Sequence, residues 1–339
     1  MTTPAIEMVD GLPIFSAIEP ASIKPAIEKA IAACKSEIDE VVASKDYSYQ
    51  NLVLRLEEAD DRLSKIFSPV SHMNSVVSSD ELREAHDACL PLLSEYGTWV
   101  GQHEGLYNAY ASLKASDEFA TLSEEQQKVI ENAVRDFTLS GVALPAEQKK
   151  RFAEIQAKLS ELSSTFSNNV MDATMGWTKH ITDEAELAGM PESALEAAAQ
   201  AAHQKDLQGW LFTLDIPSYL PVMLYADNRE LREEMYRAYA TKASDQGPNA
   251  GKWDNTDIIK ETLTLRTELA ELLGFSSYAE RSLATKMADS TDQVIGFLRD
   301  LAAKSKPQAE KELEEVREYA KDKHGVSELA AWDLPYYSE

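Results

Sequence analysis

Six histidines, two cysteines and 58 acidic residues are the groups in this 339-residue chain best suited to bind a metal or move a proton, and their spacing decides which can act together. The nearest approach to a metal site is Gln102-His103-Glu104-Gly105-Leu106-Tyr107. Zinc peptidases use His-Glu-x-x-His because residues four apart share a helix face, so two imidazoles hold one ion while the glutamate acts on its bound water. Here the second histidine is replaced by Tyr107, and a phenol with a pKa of about 10 is a poor zinc ligand at neutral pH. His103 and Glu104 are adjacent and diverge on a helix. The stretch reads as a hydrogen-bonded, partly buried histidine among Tyr96, Val100 and Tyr107.

His86 and Cys89 stand three apart, and imidazole with thiolate can bind zinc, but two ligands make no site. Cys34, His72 and His103 are too far along the chain to complete zinc-finger spacing. His180, His203 and His324 sit among polar residues and read as solvated or locally hydrogen-bonded groups. Cys34 and Cys89 read as reduced, buried thiols rather than a disulfide framework. The acidic pairs Glu57-Glu58, Asp60-Asp61 and Glu124-Glu125 could serve as acid and base only where a fold buries and pairs them, and on amphipathic helices they read as solvated faces. Neither a Gly-x-Ser-x-Gly elbow nor a Gly-x-x-x-x-Gly-Lys phosphate loop occurs. On the residues alone there are no catalytic, cofactor-binding or metal-binding positions to nominate.

Charge narrows the partners. With 33 basic and 58 acidic residues the net charge is −25, a field that repels phosphate backbones and anionic headgroups, so neither nucleic acid nor a membrane is expected. No run of about 18 apolar residues suggests a membrane span. The N-terminus carries Glu7 and Asp10 where a secretory signal places its apolar stretch, which points to the cytoplasm.

The elements that must position these groups are mostly helices. Ile23, Ile27, Ile31, Cys34, Ile38 and Val41 lie along one helical stripe, and Leu52, Leu56, Ala59, Leu63 and Ile66 form a second that Ser68-Pro69 should interrupt. Ser79 caps a third segment running to Tyr110, bent or split by Pro91. Ser123-x-x-Gln126 is a capping box, and Pro145 suits the first turn of the helix carrying Phe152, Ile155, Leu159 and Leu162. Trp210–Ile216 reads as a short strand with a partner at Trp177–Thr182, and between them Pro191–Leu195 opens a surface helix. Asn228 caps another helix, 244–255 is the longest loop, and helices over 256–273 and 290–319 follow, the last with a break at Pro307.

Beyond these patterns, the stretches FSPVSHMNSV (67–76), LLSEYGTWVGQHEGLYNAY (92–110), SNNVMDATMGWTK (167–179), SDQGPNAGKWDN (244–255) and WDLPYYSE (332–339) carry a resemblance that spans essentially the whole chain. The sequence resembles the thimet oligopeptidase and neurolysin family of zinc metallopeptidases. The resemblance implies a mainly α fold with at most a small β-hairpin: an N-terminal helical domain over 1–140, a helical connection with short strands over 141–225, and the start of a peptidase domain over 226–339. It implies that the zinc motif and its third glutamate ligand lie downstream of WDLPYYSE, so none of the family's zinc ligands maps onto a residue here. The expectation is the N-terminal part of an oligopeptidase, one wall of a channel admitting short unstructured peptides, inactive alone and binding no zinc itself. Apolar faces left uncovered would favour self-association, and the C-terminal aromatics would be ill-packed. The aromatic stripe Tyr96, Trp99, Tyr107 and Tyr110, with His72 and Asn74, could line that channel, although helical spacing favours core. A self-contained helical peptide- or protein-binding module is the competing expectation.

Overall fold

The computed structural model describes residues 12–339, so the N-terminal reading on Glu7 and Asp10 lies outside the described residues. Two units divide the chain: the described residues up to Ser164 with Thr264–Arg281, and Thr165–Leu263 with Ser282–Glu339.

The first unit opens with α1 (Pro20–Ser44), where Pro20 sits at the helix start and its missing N–H leaves no bond unmade. A π-helical turn, Tyr49–Leu54, runs directly into α2 (Arg55–Val76). Then come α3 (Asp80–Asp87), α4 (Leu90–Gly101), α5 (Glu104–Lys114), α6 (Glu124–Leu139) and α7 (Ala146–Met175), which from Thr165 on belongs to the second unit. Ser79 accepts from the Leu82 N–H, and Ser123 and Gln126 form the full reciprocal capping box. Two apolar clusters hold the unit. Ile23, Ile27, Cys34, Leu63 and Val70 pack with Tyr96, while Ile38, Leu52, Leu106, Leu113, Ile130 and Phe137 form the other. Each large aliphatic side chain buried this way contributes about 1.5–3 kcal/mol.

Prolines account for most differences from the expected elements. Pro69 does not interrupt α2; it lies buried inside it. One backbone bond is forfeited there, but the apolar face continues past it at Val70, so packing outweighs the local loss. Pro91 splits its segment by standing in the first turn of α4, and a second break, unforeseen, falls at Gln102-His103. Pro145 precedes the first residue of α7 and its carbonyl accepts from the Lys149 N–H.

In the second unit β1 (Thr178–Ile181) pairs antiparallel with β2 (Trp210–Thr213), Thr178 opposite Thr213 and Ile181 opposite Trp210, as the aromatic and branched residues suggested. Between them, α8 (Glu192–His203) is not merely a surface helix: Ala198 and Ala202 are buried, because alanine lets a helix lie close on the pleated strands. Next in chain order are α9 (Ile216–Tyr225), α10 (Arg229–Ala240), α11 (Thr256–Leu272), which from Thr264 belongs to the first unit, α12 (Tyr278–Leu283), which belongs to the first unit up to Arg281, and then, in the second unit, α13 (Thr291–His324) and α14 (Leu334–Ser338). Phe212, Leu214, Val222, Met223, Leu231 and Met235 form this unit's core. α13 passes through Pro307 without a break, flanked by i,i+4 ion pairs Lys304–Asp300, Lys306–Glu310 and Lys311–Glu315.

The C-terminal aromatics are docked rather than ill-packed. Asp333 is fully buried, accepting from Arg229 Nη2 at 2.6 Å, Arg232 Nη2 at 3.0 Å and the Ala330 N–H at 2.9 Å. The Arg232 guanidinium lies 4.1 Å from the Tyr336 ring centroid, and the Tyr336 hydroxyl donates to Asp227 at 2.7 Å. The partners of these aromatics lie upstream, on α10, just before it and at His324, which is why they pack. The loop 244–255 is also tied down. Asn255 donates its N–H to the Ala243 carbonyl and its amide to the Phe166 carbonyl, and accepts from Asn169. A Cβ on Gly176 would meet the Trp253 ring at 2.1 Å, so only glycine lets the end of α7 receive that indole.

Candidate functional site

His103 is the cap of a helix rather than a member of its face. Its Nδ1 accepts from the Leu106 N–H at 3.0 Å, and its ring stands edge-on to Trp99 with centroids 4.9 Å apart. Glu104 points away to Lys149, which donates to it at 2.7 Å and holds its carboxyl below the usual range. His86 is occupied on both ring nitrogens, by Ser71 at 3.4 Å and Asp87 at 2.9 Å, and stacks on Phe67. Cys89 donates to the Ala85 carbonyl, and burial pushes its thiol up to about 11, the opposite of what a zinc-binding thiolate needs. His180 engages the Gln208 carbonyl at 2.6 Å, and His203 is exposed. His324 departs from the expected polar surroundings: Tyr319, Tyr336 and Tyr337 surround it, with centroids 5.1–6.5 Å away. Among the described residues no three His, Cys, Asp or Glu side chains stand where they could hold one ion. The described residues do not fit a zinc ion.

What the first unit does build is a cavity of about 620 Å³ between α1, α2, α4, α5 and α6. Its floor is apolar, with Ile38, Leu56, Val100 and Phe137, and two phenols join it. Tyr96 is 8% exposed and shares a hydrogen bond with Cys34, whose thiol also donates to the Ala59 carbonyl at 3.3 Å. Burial raises the Cys34 thiol and the Tyr96 phenol alike, which keeps both protonated at neutral pH. Burial, and then the neighbouring charge of Glu57, pushes Tyr110 up to about 12.

The acids Glu57, Asp60, Asp61 and Asp136 rim this cavity, and no basic residue lines it among the described residues. Glu57 and Asp60, assigned from sequence to a solvated face, are exposed but stand over the apolar floor. One sequence signal marked the place. Gly97 lies inside α4 between Tyr96 and Val100, and glycine inside a helix costs about 1 kcal/mol relative to alanine. A Cβ there would meet nothing within 4 Å, so the residue leaves the wall of the cavity open.

The remaining stripe residues separate from this pair. Trp99 lies under Lys35, whose ammonium is 5.1 Å from the ring, and Tyr107 packs edge-on against Phe137. His72 is exposed beside Phe15, and Asn74 is buried, accepting from Ser78 at 3.4 Å.

Residues 27–149 match the family described as Neurolysin/Thimet oligopeptidase, N-terminal domain, and residues 222–339 match Peptidase family M3. The chain is 60% identical over 339 residues to oligopeptidase A of Haemophilus influenzae and 59% identical over 340 residues to oligopeptidase A of Escherichia coli, covering 100% of this chain and 50% of each relative. It is 37% identical over 348 residues to the probable cytosolic oligopeptidase A of Arabidopsis thaliana, covering 100% of this chain and 48% of that protein. The chain spans about half the length of the curated relatives it matches.

Proposed function

For a chain of the thimet oligopeptidase and neurolysin family, related along its whole length to the N-terminal portion of oligopeptidase A, we propose the role of the non-catalytic part of a zinc-dependent oligopeptidase. The observation that carries this reading is identity of 60% across all 339 residues joined to a histidine set with no pair four apart. The metal would polarise the scissile carbonyl and activate water only where the His-Glu-x-x-His ligands exist. This chain's own contribution is steric: helices that form one wall around short, unstructured peptides and keep folded proteins out. Residues 226–339 begin the peptidase domain in this reading, and the match over 222–339 supports that boundary. A cytoplasmic location follows from the same kinship, and no helix among the described residues is long and apolar enough to cross a membrane.

The test is zinc analysis of the purified chain together with hydrolysis of an internally quenched short peptide. The expected result is substoichiometric zinc and no zinc-dependent turnover, with turnover appearing when a His-Glu-x-x-His-bearing C-terminal half from an oligopeptidase A is supplied. Stoichiometric zinc, or zinc-dependent turnover by this chain alone, would overturn the reading.

A further inference from the structure

We propose that the cavity of the first unit binds an organic cation, an ammonium or guanidinium group carried on an apolar stem. The inference stands on the geometry of that unit and does not rest on the oligopeptidase reading.

Size and lining come first. A volume of about 620 Å³ falls within the roughly 300–1,000 Å³ of small-ligand sites, which are mostly apolar with a few convergent polar groups. Ile38, Leu56, Val100 and Phe137 supply the apolar part, enough for a short hydrocarbon stem.

Charge chooses the head group. Four acids stand at the rim, and among the described lining residues no Lys, Arg or His offsets them. Two are already matched: Asp61 pairs with Lys65 at 2.5 Å and Asp136 with Arg135 at 2.8 Å. Among the described residues Glu57 and Asp60 have neither a hydrogen bond nor an ion pair, and their spacing of three places both on one face of α2. Arg62 is the nearby base on the same helix, and it stands outside the lining. A cation seated here would complete the two unmatched carboxylates while its stem leaves water. An anionic or neutral ligand of the same shape would meet only repulsion or no charge contact.

Access and shape complete the argument. Tyr96 and Tyr110 present phenol rings to the same space, and a cation near a ring face gains attraction from its quadrupole. Gly97 keeps the wall open: its absent side chain leaves room that any other residue would occupy. The hollow is thus unfilled by the described residues, acidic at the mouth and apolar at the base.

A free amine and a Lys or Arg side chain on a peptide share this chemistry, so the experiment carries both. Titration calorimetry on the full chain would compare hexylamine with hexanoate, which has a stem of the same length, and acetyl-Leu-Lys-Leu-amide with acetyl-Leu-Glu-Leu-amide. Hexylamine or the lysine peptide is expected to bind saturably, about tenfold or more tighter than its anionic counterpart, and to weaken as salt rises. Tighter binding by the lysine peptide than by hexylamine assigns the site to peptide side chains, and the reverse to free amines. Two variants locate the site. Glu57→Gln with Asp60→Asn removes the unmatched charges at exposed positions, and Gly97→Phe fills the open wall; each is expected to weaken binding at least about tenfold with the thermal midpoint nearly unchanged. Equal binding of hexylamine and hexanoate, or binding that survives Glu57→Gln with Asp60→Asn, would overturn the proposal, whatever Gly97→Phe does to folding.

Discussion

Asp333 shows how one side chain fixes a segment. Burial alone would push its carboxyl up, yet the hydrogen bonds from Arg229, Ala330 and Arg232 more than reverse this and hold it below its ordinary value of 3.8. A folded-state pKa below the unfolded one means the stabilisation is complete above about pH 4 and is lost as pH falls through that value toward the folded pKa. Asp333→Asn leaves the Arg232 guanidinium, itself 1% exposed, without its counter-charge. The expected cost is about 3–5 kcal/mol. Urea unfolding at pH 7 and pH 3.5 checks it: the wild-type midpoint should drop on acidification, and the variant should start lower and drop less. His103 makes the complementary point. A residue suited to metal chemistry is used here for its lone pair, as acceptor for the Leu106 N–H at the start of α5.

At the scale of elements, what the sequence revealed depended on how local the cause is. Ser79, Ser123, Asn228 and Ser290 each satisfy a backbone N–H three residues on, so the starts of α3, α6, α10 and α13 could be read from the residues alone. Pro69 and Pro307 could not, because whether a proline stops a helix depends on what the rest of the helix gains by continuing. The cavity was equally hidden: it needs Glu57 on α2 to face Tyr96 and Tyr110 on other helices, and no spacing rule links them. Pro307 supplies a test. It leaves the Ala303 carbonyl without its helical donor in a stretch of α13 exposed on all sides, where no packing compensates. Pro307→Ala should stabilise the middle of α13 by about 2–3 kcal/mol. Hydrogen exchange would show it as stronger protection of amides over 303–311, with α10 unaffected.

For the molecule as a whole, the open question is how much apolar surface meets water. Ile295, Leu298 and Leu301 are 44%, 51% and 51% exposed and recur three apart along one face of α13. A contiguous apolar stripe of that kind favours association, which the net charge of −25 opposes at low ionic strength. Sedimentation velocity should therefore show association that increases with protein concentration and with salt. Ile295→Glu with Leu298→Glu should return the protein to a monomer without altering its helical content, since neither side chain belongs to a buried cluster.

The anchoring of loop 244–255 carries over to proteolysis. Both ends of the exposed stretch Gln246–Lys252 are held, one by the Ala243–Asn255 backbone bond and the other by Trp253 seated on Gly176. A protease that finds the scissile bonds at its tip would sever the covalent chain while leaving the severed ends clasped, so nicked and intact molecules would migrate together until a denaturant parts them.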